Sequence, residues 1–132
     1  MGKTILSTGA SSGIGEQTAI ALAKQGHKLI IQGKNPERTK KVYEKIRKLG
    51  KDNVEYYLVD LSLMANVNEF ANTIREKYDH IDVLINNAGC QTGNKRVETR
   101  EGHEVMFATN TLAPLKLKVK QEDIMENVKL KK

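Results

Sequence analysis

The sequence predicts an α/β chain built as an incomplete doubly wound parallel sheet. Two observations carry this reading. Short apolar runs alternate with amphipathic segments of helix length, so that strand, helix, strand, helix, strand, helix and strand follow one another within about ninety residues. The first run also opens directly into a glycine-rich turn. Strands separated by helices of ten to fifteen residues imply βαβ units with right-handed crossovers. In such sheets a ligand lies in the crevice at the carboxyl ends of the strands.

Thr4 to Ser7 is the first strand, and the turn from Thr8 to Gly15 follows it. Ile14, Thr18, Ala21 and Leu22 then fall at helical spacing, with Gly26 placed to end that helix. Leu29 to Gln32 reads as the second strand. Asn35 followed by Pro36 is a cap and a first-turn proline, opening a helix whose face is Val42, Ile46 and Leu49 and whose stop is Gly50. Val54 to Val59 is the third strand, and Asp60 and Ser62 begin the turn after it. Val67, Phe70, Ala71, Ile74 and Tyr78 form the face of the third helix. Ile81 to Ile85 is a nearly continuous apolar strand that runs into Asn86-Asn87-Ala88-Gly89.

Composition narrows the class. A chain of 132 residues with 39% apolar and 29% charged residues has room for one ordinary globular domain. No apolar run approaches the roughly 20 residues of a membrane span, and the start of the chain lacks the layout of a signal peptide. A single cysteine, Cys90, cannot form an internal disulfide and fits a cytoplasmic setting. His27, His80 and His103 have no spacing or companions that suggest a metal site. The net charge of +6 is half concentrated after Leu115, where six lysines face Glu122, Asp123 and Glu126. The rest is interspersed, without the aromatic platforms or motifs of nucleic-acid binding. The basic residues after Pro36 mix with Glu37 and Glu44 and read as the solvated side of an amphipathic helix.

The turn Thr8-Gly9-Ala10-Ser11-Ser12-Gly13-Ile14-Gly15 carries the strongest chemistry. Glycines allow close backbone approach, and the free N–H groups of a helix start attract a pyrophosphate. The spacing is G-x-x-x-G-x-G, and a plain glycine-serine turn is the alternative. Asp60 is equally read as a helix cap, and Asn86-Asn87 as a strand-ending turn. The second strand ends in Gln32-Gly33-Lys34-Asn35, which holds no carboxylate to accept from a ribose 2′-hydroxyl. Lys34 is instead a candidate partner for a 2′-phosphate, favouring NADP(H) over NAD(H), unless it is a solvated loop lysine.

Taken together, the glycine pattern, Asp60, Asn86-Asn87-Ala88-Gly89 and Asn110 resemble, in order and spacing, the short-chain dehydrogenase/reductase family with its Rossmann-type NAD(P)-binding fold. The resemblance spans residues 3 to 114. Thr99-Arg-Glu-Gly-His-Glu-Val-Met-Phe107 is most similar to the branch that includes retinol dehydrogenases. The resemblance implies that Gly9, Ser11, Ser12, Gly13, Ile14 and Gly15 wrap the cofactor's phosphates and adenosine ribose. It implies that Asp60 and Leu61 meet the adenine, with the Asp60 carboxylate accepting from its exocyclic amine. Asn87, Ala88 and Gly89 would run beside the ribose, and Asn110 would be the active-site asparagine.

The chain also departs from that pattern. The family's proton donor is a tyrosine in Tyr-x-x-x-Lys, assisted by a serine that polarises the carbonyl. Tyr43, Tyr56, Tyr57 and Tyr78 are followed four residues later by Arg47, Asp60, Leu61 and Asp82, so none fits. After Pro114 the family continues with an apolar helix, whereas this chain reads Leu-Lys-Leu-Lys-Val-Lys and then a lysine-rich end. Residues 1–114 are therefore read as the N-terminal NAD(P)-binding part of the domain, and 115–132 as an off-pattern tail. A frameshift or premature stop is the favoured reading of that switch, with a deliberate basic tail as the alternative. The expected outcome is a fragment that binds a dinucleotide without turnover, or a regulatory partner of a full-length relative. A bare last strand would favour self-association through the sheet edge.

Overall fold

The protein is seen in a computed structural model that describes residues 2–88 and 99–102. Four strands and three helices alternate: β1 (Thr4–Ser7), α1 (Gly13–Lys24), β2 (Lys28–Gly33), α2 (Pro36–Lys48), β3 (Val54–Leu58), α3 (Met64–Lys77) and β4 (Val83–Ile85). All pairings are parallel, and the strand order is β3-β2-β1-β4. β1 pairs with β2 from Thr4↔Lys28 to Ser7↔Ile31 and with β4 from Ile5↔Val83 to Ser7↔Ile85. The chain thus moves outward from β1 to β3, crosses back, and resumes on the other side of β1.

Each face of the sheet has its own core, as strand alternation requires. Leu6 and Ile30 point to one side, where Val67, Phe70, Ala71 and Ile74 of α3 cover them together with Leu61, Tyr78 and Ile81. Ile5, Leu29, Ile31 and Val54 point to the other, against Ala19 and Ala23 of α1 and Val42 and Ile46 of α2. Two helices on one face and one on the other is the coverage that a doubly wound sheet needs. Among the described residues no helix is long and apolar enough to cross a membrane, and none of their acidic, cysteine and histidine side chains gather as a metal cluster.

The third helix buries the face its periodicity indicates, whereas α1 does not. Its buried residues are Gly15, Ala19 and Ala23, while Ile14 is 78% exposed. The reason is proximity: a helix that begins one short turn after β1 rides close to the sheet, and small side chains fit there. Leu49 also leaves the predicted face of α2, lying at the helix end and exposed, with Thr39 buried in its stead. The caps follow the sequence more closely. The Asn35 side chain accepts from the Arg38 N–H, and Gly26 and Gly50 follow their helices with positive φ. β4 is shorter than the apolar run suggests, because Asp82 turns its carboxylate to the Thr4 N–H at 2.8 Å.

A polar cluster joins β3 to α3. The Glu55 carboxylate accepts from the Tyr78 hydroxyl and from Lys77 at 2.5 Å. Partial burial works to raise the Glu55 pKa, but the bonds from Lys77 and Tyr78 and the nearby lysine charges outweigh it and hold it below the usual value. Burial, reinforced by that carboxylate, pushes the Tyr78 hydroxyl far above its ordinary range, so it stays a donor.

Two outcomes follow from this packing. A methyl on Gly15 would lie 1.9 Å from the Gly9 carbonyl oxygen and 2.5 Å from Asn87 Nδ2. Gly15→Ala should therefore destabilise the fold by about 3 kcal/mol in denaturant melts, and a silent substitution would contradict this packing. A depressed folded pKa also means that Glu55 stabilises the fold above its unfolded pKa, and that this is lost as pH falls through the folded value. Glu55→Gln should lower the unfolding temperature at neutral pH, with the gap to wild type narrowing in acid; a constant gap would count against the pairing.

Candidate functional site

The crossing-back of the chain creates one place where two neighbouring strands, β1 and β4, send their following loops apart at the carboxyl edge of the sheet. Residues 8–12 leave β1 there, and residues 86–88 leave β4. Thr8 joins them. Its N–H donates to the Ile85 carbonyl at 3.0 Å, and its Oγ1 accepts from the N–H groups of Asn87 and Ala88, each at 3.1 Å. Asn87 Nδ2 returns a bond to the Gly9 carbonyl at 3.2 Å. Gly9, at φ +65°, passes so near Ala88 that a Cβ would stand 2.6 Å from its Cα.

The other side of the glycine-rich turn is held by β2. Gln32 is buried, and its Oε1 accepts from the Gly9 N–H at 2.9 Å while its Nε2 donates to the Val59 carbonyl at 2.8 Å. The Ala10 N–H donates to the Gln32 carbonyl at 3.0 Å. One amide side chain therefore ties the turn to the ends of both β2 and β3. Gly33 continues the close fit, since a Cβ there would stand 3.1 Å from Ser11 Cβ.

What this scaffold presents outward is the start of α1. Ser12 is its cap residue in extended conformation and makes no side-chain cap bond. Gly13, at φ +58°, would place a Cβ in open space, with nothing within 4 Å. The other two helices are capped, α2 by Asn35 and α3 by a distant group. There the Glu101 carboxylate accepts from the Met64 N–H and, at 2.9 Å, from the Ala65 N–H. α1 alone of the three meets the surface with no side-chain acceptor on its first N–H groups among the described residues. Those groups and the helix dipole favour an anion.

Lys34 and Asp60 flank the same edge, one after β2 and the other after β3. The Asp60 Oδ1 accepts from the Ser62 N–H at 3.0 Å and from the Ser62 hydroxyl at 2.7 Å. Its Oδ2 lies 3.7 Å from Lys34 Nζ, with the lysine 75% and the aspartate 32% exposed. Such an exposed pair contributes at most about 1 kcal/mol. Partial burial acts to raise the Asp60 pKa, but the Ser62 bonds and the Lys34 charge prevail and keep it below the ordinary value. Asp60 is thus the anchor of an Asp-turn ahead of α3, whose cap position belongs to Leu63.

The predicted set therefore divides. Gly9, Ser11, Ser12, Gly13, Ile14 and Gly15 share one turn, with Lys34 and Asp60 on the adjoining strand ends, and Asn87 and Ala88 bound beneath. The Leu61 side chain is buried in the core under α3, which leaves its backbone at the strand end beside Asp60. Gly89, Cys90 and Asn110 lie outside the described residues. Thr8, Gln32 and Glu101 escaped the sequence reading as site supports. A glutamine at the end of an apolar run was the signal for Gln32; nothing local marks Glu101. A cavity of about 280 Å³ between β3 and α3 shares only Asp60 with this set and is a separate feature.

Thr8→Val keeps the shape of the side chain and removes the acceptor for two backbone N–H groups. It should cost about 2–3 kcal/mol of stability, and Thr8→Ser should recover most of it; a harmless valine would remove the clamp from the account.

Comparisons with known proteins agree with this geometry. A model of the short chain dehydrogenase family matches residues 3–129. Dehydrogenase/reductase SDR family member 12 of Bos taurus is 40% identical over 84% of this chain, and human retinol dehydrogenase 13 is 36% identical over 84%. The chain spans only 35% and 34% of the lengths of these two relatives. Among solved structures, a short-chain dehydrogenase from Sphingobium yanoikuyae in complex with NADPH is 33% identical, with a TM-score of 0.78 over 92% of this chain and 47% of its own. A metagenomic short-chain oxidoreductase in complex with NADP is 26% identical and superposes with a TM-score of 0.83 over 96% of this chain and 58% of its own. Fold, turn and relatives lead to one statement: the chain belongs to the short-chain dehydrogenase family.

Proposed function

We propose that this chain binds NADP(H), and that it derives from carbonyl/alcohol oxidoreductases which move a hydride between that cofactor and a substrate. The observation that supports this most is the open α1 start. Gly13 leaves room where a side chain would otherwise stand, and the first-turn N–H groups have no side-chain acceptor. The pyrophosphate would be held by the backbone from Ser11 to Gly15, where a dipole and aligned donors replace a cationic side chain. Asp60 would accept from the adenine amine, and Lys34 would meet a 2′-phosphate. Asn87 and Ala88, fixed by Thr8, would border the cleft beside the ribose. The cofactor, when bound, supplies the hydride; these residues bind and orient it.

Protonation of a carbonyl oxygen needs a further group, and the chain contains no Tyr-x-x-x-Lys. A nucleotide-binding or regulatory partner without turnover of its own is a second reading. Both readings share the dinucleotide site. Calorimetric titration of the chain with NADPH and NADH is the test, with circular dichroism to establish folding. Saturable binding with NADPH preferred is expected, abolished by Gly13→Trp, which fills the open space. A folded chain that gives no heat with either dinucleotide would end this reading. Aldehyde and ketone substrates with NADPH should give no turnover.

A further inference from the structure

The ion pair between Lys34 and Asp60 bears on how a site of this kind tells its ligands apart. We infer that Lys34 and Asp60 form an exchangeable latch over the adenosine end of the site, released by a 2′-phosphate and left closed by a 2′-hydroxyl. This rests on the dinucleotide reading above and goes beyond it.

The argument begins with the valence of the Asp60 carboxylate. Oδ1 is occupied twice over by Ser62, through its N–H at 3.0 Å and its hydroxyl at 2.7 Å. Oδ2 is the oxygen that pairs with Lys34, whose Nζ stands 3.7 Å from it. A donor arriving from a purine amine must therefore share or take the oxygen that Lys34 attends. At 3.7 Å and 75% exposure the lysine is loosely held, close enough to neutralise the carboxylate and free enough to turn away. A phosphate dianion is a better partner for an ammonium than a single carboxylate whose other oxygen already takes two hydrogen bonds.

The consequence is a double gain for one ligand. A 2′-phosphate draws Lys34 to itself, and by doing so bares Asp60 Oδ2 for the base. A ligand with a 2′-hydroxyl offers Lys34 no anion there, so the lysine stays on Asp60 and the base competes with it. Discrimination then comes from the release of the carboxylate as well as from the new charge contact. Lys34 weakens the wrong ligand while strengthening the right one, an arrangement that opposes the competitor as well as favouring the ligand. The two residues must be energetically coupled, which a double-mutant cycle measures.

The test uses the 132-residue chain and two probes that need no nicotinamide, adenosine 2′,5′-bisphosphate and adenosine 5′-monophosphate. Their affinities are measured by calorimetry for wild type, Lys34→Met, Asp60→Asn and the double variant, with melting temperatures as the folding control. Lys34→Met should weaken the bisphosphate about tenfold or more. The same change should tighten the monophosphate about two- to fivefold, the range an exposed pair of this kind allows. Loss of a cation alone would weaken an anionic probe, so the sign is diagnostic. In the Asp60→Asn background, Lys34→Met should no longer tighten the monophosphate.

A folded wild type that binds neither probe overturns the dinucleotide reading and the latch with it. Tighter binding of the bisphosphate, with the monophosphate unmoved or weakened by Lys34→Met, overturns the latch alone. Tightening that persists in the Asp60→Asn background assigns the effect to something other than the carboxylate, and overturns it as well.

Discussion

The contact between the end of β1 and the loop after β4 is the constraint on which the rest of this structure turns. A doubly wound sheet gains its crevice because two adjacent strands send their chains to opposite faces. Here the strands are β1 and β4, and the residues that leave them meet through the Thr8 hydroxyl and the Asn87 amide. Thr8 gives two N–H groups of the second loop their acceptor, and Gly9 and Gly15 let three stretches of backbone touch where any Cβ would intrude. Backbone packed this tightly leaves its remaining donors aimed in a fixed direction. The start of α1 is open outward because everything inward of it is filled.

A second layer of polar side chains holds that arrangement from the side. Gln32 spans from the glycine-rich turn to the end of β3, and Glu101 reaches the first turn of α3 from far along the chain. Gln32 is buried, whereas Glu101 is exposed. Gln32 fixes the turn and strand ends whose backbone forms the site, where an unpaired buried donor would cost about 1–3 kcal/mol, and Glu101 fixes the start of α3. The site is thus made chiefly of main chain, with side chains spent on posture.

Much of this was legible in the sequence, and the reasons are specific. The order of elements followed from apolar runs and glycine stops, and α3 showed its face because its core residues are large and regularly spaced. α1 misled because its buried face is Gly15, Ala19 and Ala23, too small to register as hydrophobic, while the prominent Ile14 points outward. The glycine-rich turn, Lys34, Asp60 and Asn87 stood out by type and spacing, and the fold gathers them at one edge of the sheet. The burial of the Leu61 side chain was not legible, because a leucine after a strand end can face either the core or the crevice. Thr8 sat within the motif without a role, because its partners are 79 and 80 residues away and no local pattern encodes them.

That separation has a meaning for how the chain comes into being. β1 leaves the ribosome before the other three described strands, and β2 gives it a neighbour on one side within about thirty residues. Its other flank belongs to β4, which does not exist until residues 83–85 have been made. Throughout the synthesis of α2, β3 and α3, the strand at the centre of the finished sheet stands at an edge. The Thr8 hydroxyl waits over the same interval for the two N–H groups it will bind. The site is therefore the last part of these first eighty-eight residues to close, although its most recognisable motif is among the first to be synthesised.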